Sequence, residues 1–491
     1  MQKIYDVLNW IDGNILWGIP MIILIVGAGI LLTIRTKFFQ VREFGYVLKQ
    51  TMGRSIKLMR GDKKLVNEKA ISPFEAFCTA VSGTVGTGNI VGVTTAIISG
   101  GPGAVFWMWI SAFFGMITKY AEITLGMFFR KKDEKGEYIG GPMYYLEKGV
   151  KSKWLAILFA VFTIFAAIGM SSVQANTIQS TWNVTYKLPT WVTAIIIAVI
   201  TGLVVVGGIK RIGKVTSMIV PFMAIFFIIM ALIVIIANIA AIPAAIASIF
   251  TSAFSARSIA GGFLGYGIAQ AMRFGFARGV FSNEAGLGSS TIAYASSDEI
   301  EPVRQGLWGI FEVFLDTFVI CTLTALFVLS AGVGPVNGDG ATTALLSFTS
   351  LGGVVGEIFK YSYSIILPLF AFSTILAWAV YGEKACQYLF GKKSNLPFNI
   401  LYVVMIVAMG LLTFFGGDNL GADFVWLISD MTNALMAIPN LIGLVALSGI
   451  LVKITKNYFD RKKGLDVVPM LSAYDDENNA LAEKIKGKVI D

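Results

Sequence analysis

Residues 83–103 read GTVGTGNIVGVTTAIISGGPG, and they interrupt an apolar run that is long enough to cross a membrane. Seven of these twenty-one residues are glycine and one is proline, the two residue types that weaken a helix interior. Inside lipid, each backbone N–H or C=O group that loses its helical partner costs several kcal/mol, unless it lines a cavity where something polar binds it. We therefore interpret 83–89 as a binding segment and 99–103 as the extracellular turn that follows the helix.

The composition is that of a polytopic membrane protein. Of the 491 residues, 56% are hydrophobic and only 14% are charged, whereas soluble domains carry about 25% charged residues. The net charge of +9 comes from lysines and arginines in short loops, so it indicates membrane topology and no nucleic-acid partner. The chain has no histidine, the commonest transition-metal ligand, and its three cysteines show no paired spacing. The sequence thus predicts a protein of the lipid bilayer that has no cofactor.

Eleven apolar runs are predicted to be transmembrane helices. The loops between them alternate in their content of lysine and arginine: 35–70 holds ten and 130–153 holds seven, whereas 416–423 holds none. By the positive-inside rule, this alternation places the N-terminus outside and the C-terminus in the cytoplasm. The predicted spans are 14–34, 72–99, 103–129, 154–181, 190–209, 215–238, 260–296, 303–331, 361–383, 397–415 and 424–452.

The second and the seventh spans share an interrupted pattern. GTGNIVGVTTA at 86–96 and FSNEAGLGSSTIA at 281–293 both place small and polar residues at mid-depth, five spans apart. Interrupted segments at matching positions of two halves are typical of inverted-repeat transporters. We predict an all-α fold with two broken helices and four parts. These parts are a first helix with a cytoplasmic amphipathic surface helix (1–70), a first five-helix repeat (71–240), a second, inverted repeat (241–455) and a solvated cytoplasmic tail (456–491).

The broken segments suggest the chemistry of the ligand. Freed N–H groups and the positive ends of half-helices suit a carboxylate, while freed carbonyls and negative ends suit a sodium ion. A zwitterionic amino acid together with Na⁺ would use both kinds of group. Close helix packing is the alternative explanation for the glycines, but it does not require Thr84, Thr87 and Asn89 among them.

Two other apolar spans carry polar residues. In span nine, the adjacent hydroxyls of Ser373 and Thr374 suit a hard cation, although such hydroxyls commonly bond to carbonyls of their own helix. Trp378 follows one turn after Thr374 and would form one wall of a small pocket. In span four, Gln174 and Asn176 are either ligand contacts or partners in interhelical hydrogen bonds.

Span seven also contains the ionisable residues Arg273, Arg278 and Glu284. Ionisable groups at membrane depth usually face the interior of the bundle and are paired. For either arginine, a role in a gate and a role in a structural ion pair both remain open from the sequence. The candidate carboxylate partners are Glu75, Glu122, Glu312 and Asp316.

Three motifs resemble the alanine/glycine:cation symporter family, the amino acid carriers of prokaryotic membranes. They are GTGNIVGVTTAIISGGPGAVFWMW from residue 86, IGGPMYYLEKG from residue 139 and RGVFSNEAGLGSS from residue 278. The resemblance implies Na⁺-coupled uptake of alanine or glycine by alternating access, with H⁺ as the coupling ion in some members. It also implies the leucine-transporter fold with its five-plus-five inverted repeat, in the plasma membrane of a prokaryote.

Within that fold, VGTGN at 85–89 and FSNEAGLG at 281–288 resemble the unwound segments of the first and sixth core helices. The resemblance implies that amide groups near Thr87 and Gly88 hold the substrate carboxylate. It further implies that carbonyl groups near Thr84 and Phe281, with Ser282 and Asn283, hold the substrate amine.

The resemblance also implies one cation site, since the second sodium site of the leucine transporter has no clear match. The ligands would be the backbone oxygens of Ser82 and Val85 with the hydroxyls of Ser373 and Thr374. The residues that it favours as pocket residues are Gln174, Asn283, Thr374 and Trp378.

The predicted function is therefore a secondary active symporter for Na⁺ and a small neutral amino acid, and not an enzyme. A proton-coupled carrier of the same fold is an alternative, with Glu75 or Glu284 as the titrating carboxylate. A channel is disfavoured by two separate broken helices, and an intramembrane enzyme by the absence of a His-Glu metal motif and of a Gly-x-Ser-x-Gly elbow. The sequence does not choose between alanine and glycine, and it leaves the oligomeric state open.

Overall fold

A computed structural model describes residues 2–58, 67, 69–254, 266–333, 340–415 and 420–485. Within these ranges the chain forms twenty-one α-helices and one antiparallel ribbon, which pairs β1 (Lys131–Lys132) with β2 (Tyr138–Ile139). The helices, in chain order, are α1 Gln2–Ile11, α2 Ile19–Arg35, α3 Phe39–Arg42, α4 Phe44–Leu58, α5 Pro73–Thr84, α6 Val91–Gly100, α7 Gly103–Phe128, α8 Pro142–Lys148, α9 Lys153–Tyr186, α10 Thr190–Val205, α11 Gly208–Ala237, α12 Ile242–Phe254, α13 Tyr266–Asn283, α14 Thr291–Ala295, α15 Pro302–Val313, α16 Thr322–Ala331, α17 Gly340–Thr349, α18 Gly353–Phe390, α19 Asn395–Phe415, α20 Leu420–Lys462 and α21 Asp475–Ile485.

Seven helical stretches in the described ranges are long and apolar enough to cross a membrane. Two of them join labelled helices through π-helical turns, α1 to α2 at Asp12–Leu16 and α15 to α16 at Phe314–Cys321. Helices occur in each of the eleven predicted spans, although residues 260–265 of the seventh lie outside the described residues, and the number of crossings stays a prediction. The seven stretches are Lys3–Arg35, Gly103–Phe128, Lys153–Tyr186, Gly208–Ala237, Pro302–Ala331, Gly353–Phe390 and Phe424–Lys462.

The first interruption predicted from the glycines is present between α5 and α6. Val85 leaves helical geometry with a ψ of 80°, and Gly86 is extended with φ −125° and ψ −154°. A single 3-10 turn at Thr87–Asn89 then leads into α6. The chain therefore unwinds for about one and a half turns of helix, at the position where the sequence places its binding segment.

The second predicted interruption separates α13 from α14. Glu284, Gly286 and Gly288 have φ angles of 54°, 99° and 77°, in the left-handed region that favours glycine. A Cβ atom at position 288 would stand 2.9 Å from the side chain of Asn440, so space as well as backbone conformation requires glycine there. Three of the five residues 284–288 have a left-handed backbone conformation. An α-helix cannot continue through them, so α13 ends at Asn283.

The two broken helices lie among the longest helices of the bundle. α13 packs against α7 and α6, while α5 packs against α11 and α18. α9 packs against both α18 and α20, and completely buried rings such as those of Trp378 and Tyr294 fill the interior. By contrast, large apolar side chains of α11, among them Phe222 and Ile236, point away from the protein, as lipid-facing side chains do.

The amphipathic surface helix predicted within residues 1–70 corresponds to α3 and α4. It is buried more deeply than a helix that only rests on a membrane surface. Phe39 and Val47 are completely buried, and α4 packs on α15.

The tail that was predicted to be solvated is exposed or partly exposed over most of residues 461–485, but it docks on the rest of the protein at a few points. Leu471 and Leu481 are buried, and the Ala473 N–H donates to the carbonyl of Phe128 at 2.8 Å. The hydrogen bond fixes the tail at the end of α7, and the polar composition of the tail conceals the few apolar residues that are buried there.

Candidate functional site

Asn89 fixes the shape of the first break. Its Oδ1 accepts the N–H of Gly86 at 2.9 Å, so the side chain replaces a helical partner that the break removed. Its Nδ2 donates to Oδ1 of Asp316 at 2.5 Å, which ties the turn to the π-helical segment between α15 and α16. The break is therefore a defined turn and not a disordered gap.

The first break touches the other segments that the sequence places at the site. Gly86 lies against Thr374 of α18 so closely that a methyl group at position 86 would collide with Oγ1. Gly88 lies against Phe281 at the end of α13, where an added Cβ would stand 3.3 Å from Cδ1 of the ring. The structure thus brings spans two, seven and nine together through glycines that permit close approach.

The two hydroxyl groups predicted as cation ligands are buried in α18. Ser373 and Thr374 both donate to the carbonyl of Phe370, at 2.9 and 3.0 Å. A hydroxyl that donates its hydrogen still presents oxygen lone pairs, so Thr374 offers an acceptor directly to the break at Gly86. Ser373 lies on the side of α11, with its Oγ 3.5 Å from the sulfur of Met223.

The predicted ligands on α5 lie at the C-terminal end of that helix. Ser82, Thr84 and Val85 are buried, and Ser82 Oγ donates to the carbonyl of Thr79 at 2.7 Å. The last carbonyls of a helix carry partial negative charge and lack helical partners. This end of α5 is consequently suited to a cation or to an ammonium group.

Asp316 joins both broken helices, and its position there was not predicted. Besides the bond from Asn89, its carboxyl group accepts Ser282 Oγ at 3.1 and 3.0 Å and Thr317 Oγ1 at 2.7 Å. The group is completely buried, and in the described part of the chain no lysine or arginine forms an ion pair with it. A single acidic residue in the apolar run FLDTFVI was the available signal.

Side chains of α7 hold the backbone of the second break. The completely buried Lys119 donates from Nζ to the carbonyl of Asn283 at 3.0 Å, and its Nζ lies 3.3 Å from Oε1 of Glu312. One turn further along α7, Glu122 Oε1 accepts the N–H of Gly286 at 2.8 Å. Backbone groups that the second break exposes are in this way paired with charged side chains.

A network of polar side chains surrounds these contacts. Asn440 Nδ2 donates to Glu122 at 2.7 Å and to the carbonyl of Gly286 at 2.8 Å. Ser289 Oγ donates to Glu284 at 2.5 Å, close to the indole ring of Trp378. Glu122, Glu284, Glu312 and Lys119 are all completely buried, so three carboxyl groups share one ammonium group.

Several buried polar atoms have no hydrogen-bond partner within the described ranges. Thr87 Oγ1 and Gln174 Oε1 are two of them, and both residues were predicted to bind the substrate. Gln179 and Asn433 also carry such atoms but were not predicted, because one amide in an apolar helix is usually an interhelical contact. A buried polar group left unpaired costs about 1–3 kcal/mol, so these atoms are available to a polar ligand or to water. Asn176 instead accepts Ser180 Oγ of its own helix at 3.1 Å.

Aromatic rings enclose the region where the breaks meet. Phe281 stacks on Trp426 of α20 with ring centroids 6.2 Å apart. Trp378, predicted to form one wall of a small pocket, is completely buried and meets Tyr381 edge-on at 5.4 Å. The position of Trp426 could not be predicted, because it follows from the packing of α20 on the rest of the bundle.

The partner of Arg278 differs from the prediction. Arg278 lies 3.5 Å from Asp430 of α20, and its guanidinium group stands over the ring of Phe281. The prediction of Glu75, Glu122, Glu312 or Asp316 as its partner was wrong, because these carboxyl groups bond to other residues. Asp430 was missed because the pair joins two helices far apart in the chain.

At the start of α5, which is the end of this helix away from the first break, hydrogen bonds link the segments that precede α5 and follow α14. The Ile71 N–H donates to the carbonyl of Ser296 at 3.2 Å, and the Asp298 N–H donates to the carbonyl of Ile71 at 2.8 Å. Arg461 at the end of α20 forms two hydrogen bonds to Glu301, at 2.7 and 2.8 Å. The segments before α5 and after α14 are thereby held together.

Glu75, one candidate for proton coupling, lies at this end and has a structural partner. Its carboxyl group accepts the N–H of Ser72 at 2.8 Å, while its own N–H donates to Ser72 Oγ at 3.2 Å. This reciprocal pair is a capping box, which stabilises the first turn of α5.

Comparison with known sequences identifies the family. The sequence profile of the sodium:alanine symporter family matches residues 1–469. The sodium/alanine symporter AgcS of Methanococcus maripaludis is 42% identical over 459 residues, which are 92% of this chain and 96% of that protein. The putative sodium/proton-dependent alanine carrier protein YrbD of Bacillus subtilis is 36% identical over 473 residues, 92% of this chain and 93% of that protein.

A solved structure shares the fold at low sequence identity. The crystal structure of MhsT in complex with L-phenylalanine aligns with a TM-score of 0.57 and 13% identity, over 79% of this chain and 99% of that one. The fold is therefore of the leucine-transporter type, as the sequence motifs imply.

Proposed function

The chain belongs to the sodium:alanine symporter family, and from this premise we propose that it couples Na⁺ entry to the uptake of alanine or glycine. The family comprises transporters, which are multi-pass membrane proteins of prokaryotes. In the proposed topology the chain crosses the plasma membrane eleven times, with the N-terminus outside and the C-terminus in the cytoplasm. A first helix precedes a five-plus-five inverted repeat.

The observation that carries the proposal is the junction of the two breaks. Gly86 meets Thr374 and Gly88 meets Phe281 in a completely buried region, while Thr87 Oγ1 and Gln174 Oε1 have no partner in the described part of the chain. Unwound backbone inside a membrane bundle is stable only where a polar ligand or protein group satisfies it. A small zwitterion with a sodium ion has the charges to do so.

Each end of the substrate has a proposed set of partners. Amide groups near Thr87 and Gly88, at the positive N-terminal end of α6, bind the carboxylate. Carbonyls near Thr84 and Phe281, with Ser282 and Asn283, bind the amine. Gln174 and Trp378 complete the pocket, and the rings of Phe281 and Trp378 restrict it to small side chains.

The sodium ion, which is cargo, binds between α5 and α18 in this scheme. The carbonyls of Ser82 and Val85 and the hydroxyls of Ser373 and Thr374 supply hard oxygen ligands. Because these ligands belong to two helices, the ion holds α18 against the first break before the substrate binds. Movement of one helix group against the rest then exposes the site to the cytoplasm.

Uptake of labelled alanine and glycine into proteoliposomes tests the proposal. With Na⁺ outside we expect accumulation against a concentration gradient, and with K⁺ outside we expect none. An imposed pH gradient should leave uptake unchanged at constant Na⁺ and constant membrane potential. Uptake that does not depend on Na⁺ but is driven by a pH gradient would contradict the proposed coupling to Na⁺.

Proton coupling is the second candidate, and Asp316 is the observation that favours it. This carboxyl group bonds to Asn89 on the first break and to Ser282 on the second, so its protonation would alter both breaks. Asp316→Asn should abolish a dependence of uptake on the pH gradient if the protein carries protons. If the coupling is to Na⁺ alone, the variant should show no change in pH dependence.

A further inference from the structure

We propose that residues 466–478, which we call the strap, tie α20 to the end of α7 and have to release each time the protein opens to the cytoplasm. The inference rests on the proposed function, because a strap can limit transport only if the inner end opens and closes. It gives a role to the segment that follows the last predicted span.

The strap is fixed to α20 at its first end. Gly464, which follows α20 with a φ of 81°, reverses the direction of the chain. Asn457 of α20 donates from Nδ2 to the carbonyl of Val468 at 2.8 Å, and its Oδ1 accepts the N–H of Met470 at 3.0 Å. The same Oδ1 accepts Nε of Arg461 at 3.0 Å. The strap therefore bonds to α20 beside the arginine that also holds the segment after α14.

The other end of the strap is fixed to α7 and to the ribbon that follows it. The Ala473 N–H donates at 2.8 Å to the carbonyl of Phe128, the last residue of α7, and such a carbonyl has no partner within its own helix. Glu477 accepts two hydrogen bonds from Nζ of Lys132 in β1, at 2.9 and 3.1 Å. This ion pair is partly exposed, so it can separate without leaving a buried charge uncompensated.

The space under the strap is not filled. Nζ of Lys148 in α8 lies 5.4 Å from the centre of the Tyr474 ring. Beside this contact is an open cavity of about 520 Å³, whose lining includes Phe128, Ile450 and Met470. Protein interiors are close-packed, so a segment held only by packing would fill this space. Polar contacts at its two ends hold the strap, and such contacts can release.

The end of α7 is in turn fastened to the second broken helix. The buried Arg130 donates from Nη1 to the carbonyls of Ala295 and Ser297, at 3.2 and 2.6 Å, and from Nη2 to the carbonyl of Glu299 at 2.6 Å. These bonds join the end of α7 to the end of α14, and the strap joins both to α20. When the second broken helix moves away from α20, the strap has to detach at one of its ends.

A cleavable cross-link across the strap tests the proposal. Lys132→Cys with Glu477→Cys, in a protein whose three buried cysteines are replaced by serine, is treated with a bifunctional methanethiosulfonate before reconstitution. We expect cross-linked K132C/E477C to take up alanine with Na⁺ at least about tenfold more slowly, because the strap cannot release. A reductant that cleaves the cross-link should restore the rate. Equilibrium binding of alanine should stay within about twofold throughout, since the cross-link lies away from the breaks.

Glu357→Cys with Lys360→Cys, an exposed pair within α18, is the matched control in the same cysteine-free protein. The reagent should leave its uptake unchanged. A similar loss in E357C/K360C would contradict the proposal, because any surface cross-link would then stop transport. Unchanged uptake after complete cross-linking of K132C/E477C would overturn the strap while the proposed function stands.

Lys148→Cys with Tyr474→Cys provides a second pair across the strap in case the first variant does not fold, and the same reversible loss is expected. A loss of uptake that the reductant does not reverse, or one that accompanies a loss of alanine binding, would also overturn the strap, since it marks damage to the fold. If the wild-type protein takes up no alanine with Na⁺, the proposed function itself is wrong.

Discussion

At the scale of single residues, the surroundings of Gly86 and Gly92 show which glycine of the first broken helix is required for close contact and which is not. An added Cβ at Gly86 would collide with Thr374, whereas one at Gly92 in α6 would have nothing within 4 Å. Both lie in the same glycine-rich stretch, and the sequence alone treats them alike. Their surroundings predict opposite effects of the same substitution.

We expect Gly86→Ala to reduce Na⁺-dependent alanine uptake by at least about tenfold, because the methyl group forces α18 away from the first break. Gly92→Ala should keep the wild-type rate, and its melting temperature should not fall, since alanine favours a helix over glycine by up to about 1 kcal/mol. Initial uptake rates in proteoliposomes and melting temperatures in detergent provide the comparison. Equal rates in the two variants would contradict the role of Gly86.

The hydroxyl groups of α18 give a second prediction at this scale. Thr374→Ala should raise the Na⁺ concentration for half-maximal uptake by about tenfold, and Ser373→Ala by less, because only Thr374 touches the first break. Thr163→Ala on α9, which removes another buried hydroxyl that bonds to its own helix, is the control. A Na⁺ dependence that is the same in all three variants would remove these hydroxyls from the cation site.

At the scale of elements, the sequence predicts where the helices lie more accurately than it predicts which helices contact each other. The third predicted span, 103–129, agrees with α7 (Gly103–Phe128), and both breaks occur where glycines cluster. Apolar length and helix-breaking residues are local properties, so a single sequence contains them. The pairing of Arg278 with Asp430 and the docking of Leu471 depend on which helices become neighbours, and no local pattern encodes that.

Lys119 is the residue through which α7 supports the second break. It is a completely buried cation that holds the carbonyl of Asn283 and pairs with Glu312. Breaking a buried pair by removing one partner costs about 3–5 kcal/mol, because the other charge is left uncompensated. Removing both charges costs less, although the hydrogen bond to Asn283 is still lost.

We therefore expect Lys119→Met to lower the melting temperature clearly and Lys119→Met with Glu312→Gln to recover part of the loss. Arg42→Gln, which breaks the exposed pair with Glu43, should change it little, since such pairs contribute about 0–1 kcal/mol. Thermal unfolding of the purified variants in one detergent measures all three. A double variant less stable than K119M would show that the pair is not the source of the effect.

At the scale of the whole molecule, different contacts hold the two ends of the proposed pathway. On one side Phe281, Trp426 and Arg278 cover the junction of the breaks. On the other side Arg461 and Glu301 join α20 to the segment that follows α14. If the protein works by alternating access, the second set of contacts has to open when the substrate leaves to the cytoplasm.

Cys78 on α5, which is completely buried, can report this opening. In a protein with Cys321→Ser and Cys386→Ser, we expect Glu301→Gln or Arg461→Gln to increase several-fold the rate at which a membrane-impermeant maleimide labels Cys78. Reagent added to inside-out vesicles should give this increase, and reagent added from the outer side should not.

Glu357→Gln, which removes an exposed ion pair with Lys360 on α18, should leave the labelling rate of Cys78 unchanged. A faster reaction in this control would mean that the substitutions loosen the fold in general. If neither E301Q nor R461Q changes the reactivity of Cys78, the bond between Arg461 and Glu301 does not keep the inner end closed. Glu301 lies between α14 and α15, so breaking its bonds to Arg461 would free the end of α14, and we expect the second broken helix to be the part that moves.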